Sequence, residues 1–113
     1  MAHTHLMKQS SIWLQKIYLL EFNMLKTLED LVTLARERKK NPVEGSYTNK
    51  LLEDETLSKE KVLEEIGELI ESVEKNTNKI HEAADVFYHL IMYLEKSGIK
   101  IEEVMEELNS RKK

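Results

Sequence analysis

Five acidic side chains in two short segments are the residues of this sequence best placed to do chemistry. In chain order they are Glu64, Glu65, Glu68, Glu82 and Asp85. The second segment, HEAADVFYHLIMYL, is otherwise apolar almost all the way round. A carboxylate on such a helix cannot always reach water, and burying it is costly unless it is paired, protonated or bound to a cation. The two acidic clusters therefore indicate a divalent-metal site.

The spacing of the acids suits a hard cation. Residues three apart share one face of a helix, so an E-x-x-E helix beside an antiparallel E-x-x-D helix can supply four carboxylates. Mg²⁺ takes oxygen ligands in near-octahedral geometry and keeps several waters. No His or Cys lies within either acid pair, which disfavours zinc. For the first cluster alone, a merely solvated acidic face remains the alternative, because Glu is a good helix former.

Hydrophobic periodicity predicts the helices that would position these acids. The first follows the capping box of Thr27 and Asp30. The others are predicted over Tyr47–Leu52, Lys59–Lys75, Lys79–Ser97 and Ile101–Ser110. Breaks are expected over Asn41–Thr48, which contains Pro42 and Gly45, and over Asp54–Ser58. Short links imply antiparallel neighbours, so we expect an all-α bundle of four to five helices.

The two acid-bearing helices also carry apolar seams. The third predicted helix has Val62, Ile66, Leu69 and Val73 on one stripe. The fourth has Ile80, Ala84, Phe87, Ile91 and Leu94. Glu82, Asp85 and His89 form a polar stripe nearly opposite this second seam. A helix with apolar surface on both sides of a polar stripe is buried on more than one face, and a small chain has little core of its own. We therefore expect a homodimer to complete the bundle.

Length and composition set further bounds. The chain has 113 residues, enough for one domain, and a net charge of −4. A general nucleic-acid binder usually shows a basic surface, so this class is not expected. No segment is long enough to span a membrane. The absence of cysteine fits a cytoplasmic location. Because its composition differs, we interpret residues 1–23 as an extension preceding a domain over residues 24–113.

Two further features allow a functional and a structural interpretation. Basic residues end the first predicted helix, and they either compensate its dipole or bind phosphate. They are Arg36, Arg38, Lys39 and Lys40. His89 lies one turn after Asp85. Its ring could orient a carboxylate or reach a substrate, or it could be an ordinary packed side chain.

These motifs together resemble a known enzyme family. The pattern E-E-x-x-E followed by E-x-x-D, at residues 64–68 and 82–85, resembles the all-α nucleoside-triphosphate pyrophosphohydrolases, which include MazG-like and dimeric dUTPase-like enzymes. EGSYTNKLL (Glu44–Leu52) and EAADVFYHLIMYL (Glu82–Leu94) are similar to the phosphoribosyl-ATP pyrophosphohydrolase family of histidine biosynthesis. LEDLVTLARERKK and IEEVMEELNSRKK fit the same family, so the resemblance covers about residues 25–113.

The resemblance implies an activity and roles for particular residues. The implied reaction is hydrolysis of the α–β phosphoanhydride of phosphoribosyl-ATP to phosphoribosyl-AMP and pyrophosphate, in a MazG-like bundle that binds Mg²⁺, with Mn²⁺ possible. The implied metal ligands are Glu65, Glu68, Glu82 and Asp85. Glu64 is the candidate for a further ligand or for the base that positions water. Implied substrate contacts are Arg38, Lys39, Ser46, Tyr47, Thr48, Lys50, Lys61 and His89.

The sequence departs from the family pattern at three positions. Leu63 stands where a Gly is common, and Gly67 where Ala or a similar small residue is usual. Glu60 occupies a position that is often basic, which removes one expected phosphate contact. Two alternatives remain open at this point: a MazG-like house-cleaning enzyme acting on nucleoside triphosphates, and a non-catalytic helical dimerisation module.

Overall fold

The computed structural model describes residues 26–112, and the regular structure within that range is entirely helical. Helix α1 covers residues 26–40. It is followed by α2 (Tyr47–Glu53), α3 (Glu55–Lys75), α4 (Lys79–Lys96) and α5 (Ile101–Ser110). The all-α prediction is confirmed, and the predicted extension over residues 1–23 lies outside the described residues. Within residues 26–112, no helix combines the length and the apolar character needed to cross a membrane.

The junction between α2 and α3 is tighter than predicted. The break expected over Asp54–Ser58 is wrong, because α3 begins at Glu55 and only Asp54 separates the two helices. The Asp54 carboxylate accepts a hydrogen bond from the Leu57 backbone N–H at 3.0 Å. An Asp at the N-cap satisfies a backbone donor that the helix itself cannot pair. This cap starts α3 one turn earlier than Lys59.

Asparagines make the turn between α3 and α4. Asn76 ends α3 with φ 55°, and Asn78 precedes α4 with φ 42°. Asn tolerates this left-handed region better than most residues, so a three-residue link can reverse the chain. Asn78 occupies the predicted N-cap position, but its side chain makes no capping hydrogen bond. The link lays α4 antiparallel against α3, and these two helices share the most extensive contact among the described elements.

A small apolar core joins α1, α2 and α4. Its buried members are Ala35, Leu51, Leu52 and Met92, with Leu31, Leu57 and Tyr88 packed against them. Leu51 and Met92 are completely buried. This core fixes α2 on the surface of α4, and therefore sets the loop before α2 over the segment of α4 that contains Tyr88 and His89.

The apolar seams predicted on α3 and α4 largely face outward within a single chain. On α3 the buried residues are Ser58, Glu65 and Ser72, spaced seven apart. Predicted seam residues are exposed instead: Ile66 (40%), Val73 (58%), Ile80 (88%) and Phe87 (56%). The seam prediction was therefore wrong for one chain, although Ile91 is buried as expected. The polar stripes face the neighbouring helices, and the exposed apolar stripes need another partner.

An ion-pair network ties α5 to the rest of the chain. Arg36 Nε donates to the buried carboxylate of Glu95 at 2.9 Å, and Arg36 Nη2 donates to Glu102 at 2.6 Å. The Lys39 ammonium group donates to the Glu95 carbonyl. One guanidinium thus joins α1, α4 and α5, and a single planar group serves both carboxylates.

This network predicts a loss of stability in acid. The hydrogen bond from Arg36 lowers the pKa of Glu102 from 4.5 to about 2. A carboxyl group whose pKa is lower in the folded state stabilises the fold above its unfolded pKa, and this contribution disappears as the pH falls from 4.5 towards 2. Urea unfolding across this range should therefore show a smaller acid loss for Glu102→Gln than for the wild type. Glu103→Gln, one residue along the same helix, is the control, and its free energy of unfolding should fall in acid by as much as that of the wild type.

Candidate functional site

The three carboxylates of Glu65, Glu68 and Glu82 converge between α3 and α4. One oxygen from each lies within 4.8 Å of the others. The i, i+3 spacing on α3 places Glu65 and Glu68 on one face, and the antiparallel packing brings Glu82, in the first turn of α4, against them. This is the juxtaposition predicted for the two acidic clusters.

Two of these carboxylates hold buried oxygens without a partner. Glu65 is only 7% exposed. Its Oε2 atom and the Oε2 atom of Glu82 are buried and accept no hydrogen bond within the described chain. Leaving a buried acceptor unpaired costs about 1–3 kcal/mol, and more when the group is charged. A cation that takes oxygen ligands would relieve this cost, so the donor set fits a divalent metal ion.

The electrostatics of the cluster support this interpretation. Burial, followed by the hydrogen bond and charge of Glu68, raises the pKa of Glu65 to about 7. Burial and Glu68 also raise the pKa of Glu82, while His81 acts in the opposite direction. Like charges in a poorly solvated site disfavour ionisation of all members together. Without a cation the cluster therefore retains a proton near neutral pH.

Asp85 and Glu64 stand at the edges of this cluster. Asp85 belongs to a second group with His81 and Glu82, whose potential ligand atoms also lie within 4.8 Å of one another. Glu64 belongs to neither group; its side chain is 50% exposed and pairs with Lys61 at 3.2 Å. The structure thus joins Glu65, Glu68 and Glu82 directly and places Asp85 beside Glu82. Glu64 lies on the solvent side.

The loop before α2 is tied to α1 and α4 by its side chains. Ser46 caps α2 by accepting from the Asn49 backbone N–H at 3.2 Å, and Arg38 Nη1 donates to the same hydroxyl at 2.7 Å. The Thr48 hydroxyl lies 2.5 Å from the Tyr88 hydroxyl. The hydroxyl groups of the segment GSYT (Gly45–Thr48) therefore lie beside a cationic side chain, Arg38, that α1 supplies.

His89 connects this loop to the acidic helix. Its Nδ1 atom lies 2.7 Å from the main-chain carbonyl of Asp85, and its Nε2 atom lies 2.9 Å from the Tyr47 hydroxyl. A carbonyl can only accept, so Nδ1 donates to it, and Nε2 of the neutral ring accepts from the Tyr47 O–H. His89 is buried. It orients Tyr47. Its hydrogen bond to Asp85 is made to the main-chain carbonyl and not to the carboxylate.

The remaining predicted phosphate contacts are dispersed. Lys39 donates to the Glu95 carbonyl, Lys61 pairs with Glu64, and Lys50 lies exposed on α2. Arg38 is the basic side chain joined directly to the GSYT segment. Their assignment as substrate contacts remains a prediction.

Sequence reasoning missed two residues of this region. Asn49 is 5% exposed; its Oδ1 accepts from the Val43 N–H at 2.9 Å and its Nδ2 donates to the Arg38 carbonyl at 2.8 Å. The only available signal was its place three residues after a Ser N-cap, a position often used for capping. His81 was also overlooked, although its i, i+4 spacing to Asp85 places both on one helix face.

Comparison with known proteins agrees with the family resemblance of the sequence. The family described as phosphoribosyl-ATP pyrophosphohydrolase matches residues 28–112. The chain is 40% identical over 94 residues to the histidine biosynthesis bifunctional protein HisIE of Pyrococcus furiosus, covering 80% of this chain and 42% of that protein.

Two relatives that are closer in length to this chain are both named phosphoribosyl-ATP pyrophosphatase. The phosphoribosyl-ATP pyrophosphatase of Clostridium novyi is 37% identical over 95 residues, covering 79% of this chain and 84% of its own length. The phosphoribosyl-ATP pyrophosphatase of Leuconostoc mesenteroides is 38% identical over 93 residues, covering 76% of this chain and 77% of its own length. The chain thus spans less than half of the bifunctional relative and most of the other two.

Proposed function

The chain belongs to the phosphoribosyl-ATP pyrophosphohydrolase family, and on this premise we propose that it hydrolyses the α–β phosphoanhydride of phosphoribosyl-ATP in the second step of histidine biosynthesis, in the cytoplasm. Water cleaves the anhydride, and the products are phosphoribosyl-AMP and pyrophosphate. The observation that carries the proposal is the carboxylate cluster of α3 and α4, with its unpaired buried oxygens on Glu65 and Glu82.

The proposed cofactor is Mg²⁺, with Mn²⁺ as a substitute. Four side chains would hold it: Glu65, Glu68, Glu82 and Asp85. When bound, a divalent ion neutralises charge on the phosphates and lowers the pKa of a coordinated water. An acidic chain that handles an anionic substrate needs such a cation, because its carboxylates would otherwise repel the phosphates. The oxygen-only donor set matches the preference of Mg²⁺.

The side chains around the cluster would then supply the proton acceptor and the phosphate contacts. Glu64 is half exposed beside the cluster, where it could accept a proton from the attacking water. Lys61, which pairs with Glu64 at 3.2 Å, would contact a phosphate oxygen. Phosphoryl transfer needs an aligned water and charge compensation, and it needs little covalent chemistry from the protein. Lys39 and Lys50 remain weaker candidates for phosphate contact.

The GSYT segment is the proposed contact for the nucleotide. Arg38 and Ser46 are joined at 2.7 Å, and Tyr47 is held by His89 at 2.9 Å. Thr48 is held by Tyr88. Because each hydroxyl is already directed by a partner, the segment needs little reordering when substrate binds, and preorganisation of this kind reduces the entropy lost on binding.

Asn49→Asp tests this preorganisation. The change keeps the acceptor for Val43, but it removes the donor to the Arg38 carbonyl and sets a carboxylate against that carbonyl. We expect a loss of about 1–3 kcal/mol in the free energy of unfolding. We also expect a larger rise in KM for phosphoribosyl-ATP than fall in kcat, because Asn49 positions the loop and does not reach the acidic cluster. Urea unfolding and steady-state kinetics provide these values.

The matched control for Asn49 is Asn41→Asp. Asn41 is exposed and its amide donates to Glu37 at 2.7 Å. This variant should keep the wild-type KM. An Asn49→Asp protein with an unchanged KM would contradict a positioning role for Asn49.

The proposed assembly is a homodimer. The exposed apolar stripe of α3 comprises Leu63, Ile66, Ile70 and Val73, and that of α4 includes Ile80 and Phe87. Contiguous exposed apolar surface of this kind marks an association site in a stable protein. A second copy of the chain would offer matching stripes, and the α3 and α4 helices of the two copies, four in all, would form the bundle core that one chain lacks.

A substrate panel separates this proposal from the house-cleaning alternative. The values of kcat/KM for phosphoribosyl-ATP, dUTP, dCTP and ATP should be measured with saturating Mg²⁺. We expect phosphoribosyl-ATP to be preferred by a factor of roughly 10³ or more, because the site would contact a group that the others lack. Faster hydrolysis of a deoxynucleoside triphosphate would overturn the substrate assignment.

A further inference from the structure

The GSYT segment presents two neighbouring hydroxyl groups of opposite hydrogen-bonding character. Ser46 Oγ accepts from Arg38 Nη1 at 2.7 Å and from the Asn49 backbone N–H at 3.2 Å. A serine hydroxyl has two acceptor positions and one proton. Both acceptor positions of Ser46 are therefore occupied, and its proton is left to donate. Together with the Arg38 guanidinium, this hydroxyl suits a phosphate oxygen, which accepts from charged and neutral donors alike.

The Tyr47 hydroxyl is left in the opposite state. Its oxygen lies 2.9 Å from His89 Nε2, and the other ring nitrogen, Nδ1, donates to the Asp85 carbonyl at 2.7 Å. Nε2 of the neutral ring accepts, so the Tyr47 proton is directed to it. Within residues 26–112 the phenol oxygen makes this one hydrogen bond, and it can still accept another. A ligand group that binds here must carry a proton to donate, and an ionised phosphate oxygen has none.

Tyr47 also lies within electrostatic reach of the acid-bearing face of α3. Partial burial, the largest cause, raises the pKa of the Tyr47 phenol, and the charge of Lys61 opposes this shift. The charges of Glu65 and Glu64 raise the pKa further. The phenol therefore keeps its proton at neutral pH, and that proton is present for His89 to accept. The Tyr47 side chain is 44% exposed, so a ligand can reach it beside the acids.

We propose that the Tyr47 hydroxyl, fixed as an acceptor by His89, accepts a hydrogen bond from a hydroxyl of the adenosine ribose and so selects ribonucleotides over their deoxy analogues. This inference rests on the proposed function, in which the acids of α3 and α4 hold the ion that neutralises the phosphates. The α-phosphorus is bonded to O5′ of this ribose, so the sugar is the next group beside the reacting phosphate. Ser46 and Arg38 would then meet phosphate, and Tyr47 would meet sugar.

The competing explanation is that the bond between Tyr47 and His89 only anchors the loop, as the bond between Thr48 and Tyr88 does. An anchoring bond affects every substrate alike, because it acts on the loop and touches no group of the substrate. A direct contact affects only those substrates that carry the contacted hydroxyl. The two explanations therefore differ in how the effects of a variant and of a substrate analogue combine.

The test is a set of kcat/KM values for the full chain in saturating Mg²⁺. The substrates are phosphoribosyl-ATP and its two analogues whose adenosine ribose lacks the 2′- or the 3′-hydroxyl. Tyr47→Phe removes the hydroxyl and keeps the ring, and His89→Phe removes the nitrogen that orients the hydroxyl. Tyr88→Phe is the matched control, since it makes the same chemical change in the inward-facing pair with the buried Thr48. Circular dichroism checks that the helices persist.

We expect Tyr47→Phe to lower kcat/KM for phosphoribosyl-ATP by roughly tenfold, and the parent protein to prefer phosphoribosyl-ATP to one of the analogues by a similar factor. On that analogue Tyr47→Phe should change kcat/KM by less than about twofold, because the partner hydroxyl is already missing. His89→Phe should also reduce the preference. Tyr88→Phe should keep the parent preference even where it lowers all three kcat/KM values. Because Tyr47 is exposed, Tyr47→Phe decides the test even if the buried His89→Phe variant does not fold.

An equal loss of kcat/KM on all three substrates in Tyr47→Phe overturns the ribose contact and leaves Tyr47 as an anchor of the loop. A Tyr47→Phe protein with the parent kcat/KM for phosphoribosyl-ATP overturns it as well. In both cases the proposed function stands, because the parent protein still converts phosphoribosyl-ATP to phosphoribosyl-AMP and pyrophosphate. Absence of that turnover in the parent would instead overturn the proposed function and this inference with it.

Discussion

Glu65→Gln is expected to remove nearly all turnover of phosphoribosyl-ATP while making the metal-free protein more stable. Glu65 is the most buried member of the carboxylate cluster, and its Oε2 atom has no partner within the described chain. An amide in its place removes a charged metal ligand. We expect kcat/KM to fall by roughly 10³, equivalent to about 4 kcal/mol of transition-state stabilisation.

The gain in stability follows from the pKa of Glu65. Burial and Glu68 raise this pKa from 4.5 to about 7. A carboxyl group whose pKa is higher in the folded state destabilises the fold as the pH rises through the interval between the unfolded and folded values. The metal-free wild type should therefore lose stability between pH 4.5 and 7, and Glu65→Gln should lose less. At pH 8 the variant should have the higher Tm.

A matched control is available on the same helix. Glu74 is exposed on α3 and lies outside both groups of potential ligands. Glu74→Gln makes the same chemical change and should keep wild-type kcat/KM and the wild-type pH dependence of Tm. Thermal unfolding in chelator at pH 5 and pH 8 tests the stability of the metal-free protein, and kinetics in Mg²⁺ test the loss of activity. A Glu65→Gln protein that retains activity, or that is less stable at pH 8, would disagree with the assignment.

The second large effect concerns assembly: Phe87→Glu is expected to convert the proposed dimer to monomers. Phe87 is 56% exposed in the single chain and belongs to the apolar stripe of α4. In the proposed interface its replacement would bury a carboxylate without a partner, which costs several kcal/mol. Each 1.4 kcal/mol changes an equilibrium constant tenfold, so the dimer Kd should rise by roughly 10³ or more.

Sedimentation equilibrium measures this Kd directly, and circular dichroism checks that the helices persist. Met105→Glu is the control, since Met105 is 50% exposed on α5 and does not belong to the α3 or α4 stripe. It should remain dimeric. A wild type that sediments as a monomer, or a Phe87→Glu protein that dimerises as tightly as the wild type, would exclude this interface.

Local sequence signals predicted the helices well. The bounds of α5 are those expected from its amphipathic pattern, and α4 ends within one residue of the prediction, followed by Gly98 with φ 74°. These features depend on periodicity and on turn chemistry that neighbouring residues determine. The start of α3 was missed because Asp54 can act as a loop residue or as an N-cap, and only its bond to the Leu57 N–H decides between them.

Local sequence signals could not predict which face of each helix is buried within the chain. A helical wheel shows which residues share a face, but it does not show which neighbour covers that face. On α3 the chain buries Ser58, Glu65 and Ser72 and leaves Val73 exposed. The convergence of the acids was predictable from their spacing. The roles of Asn49 and His81 depend on contacts that only the folded chain reveals.

The most direct test of the central claim is a ³¹P NMR time course of the purified protein with phosphoribosyl-ATP, run in Mg²⁺ and again in excess chelator. We predict that phosphoribosyl-AMP and pyrophosphate appear in equal amounts in Mg²⁺, without orthophosphate, and that neither forms in chelator. Release of orthophosphate would place the cut at the β–γ bond. Undiminished turnover in chelator would contradict the metal-binding role of the carboxylates on α3 and α4.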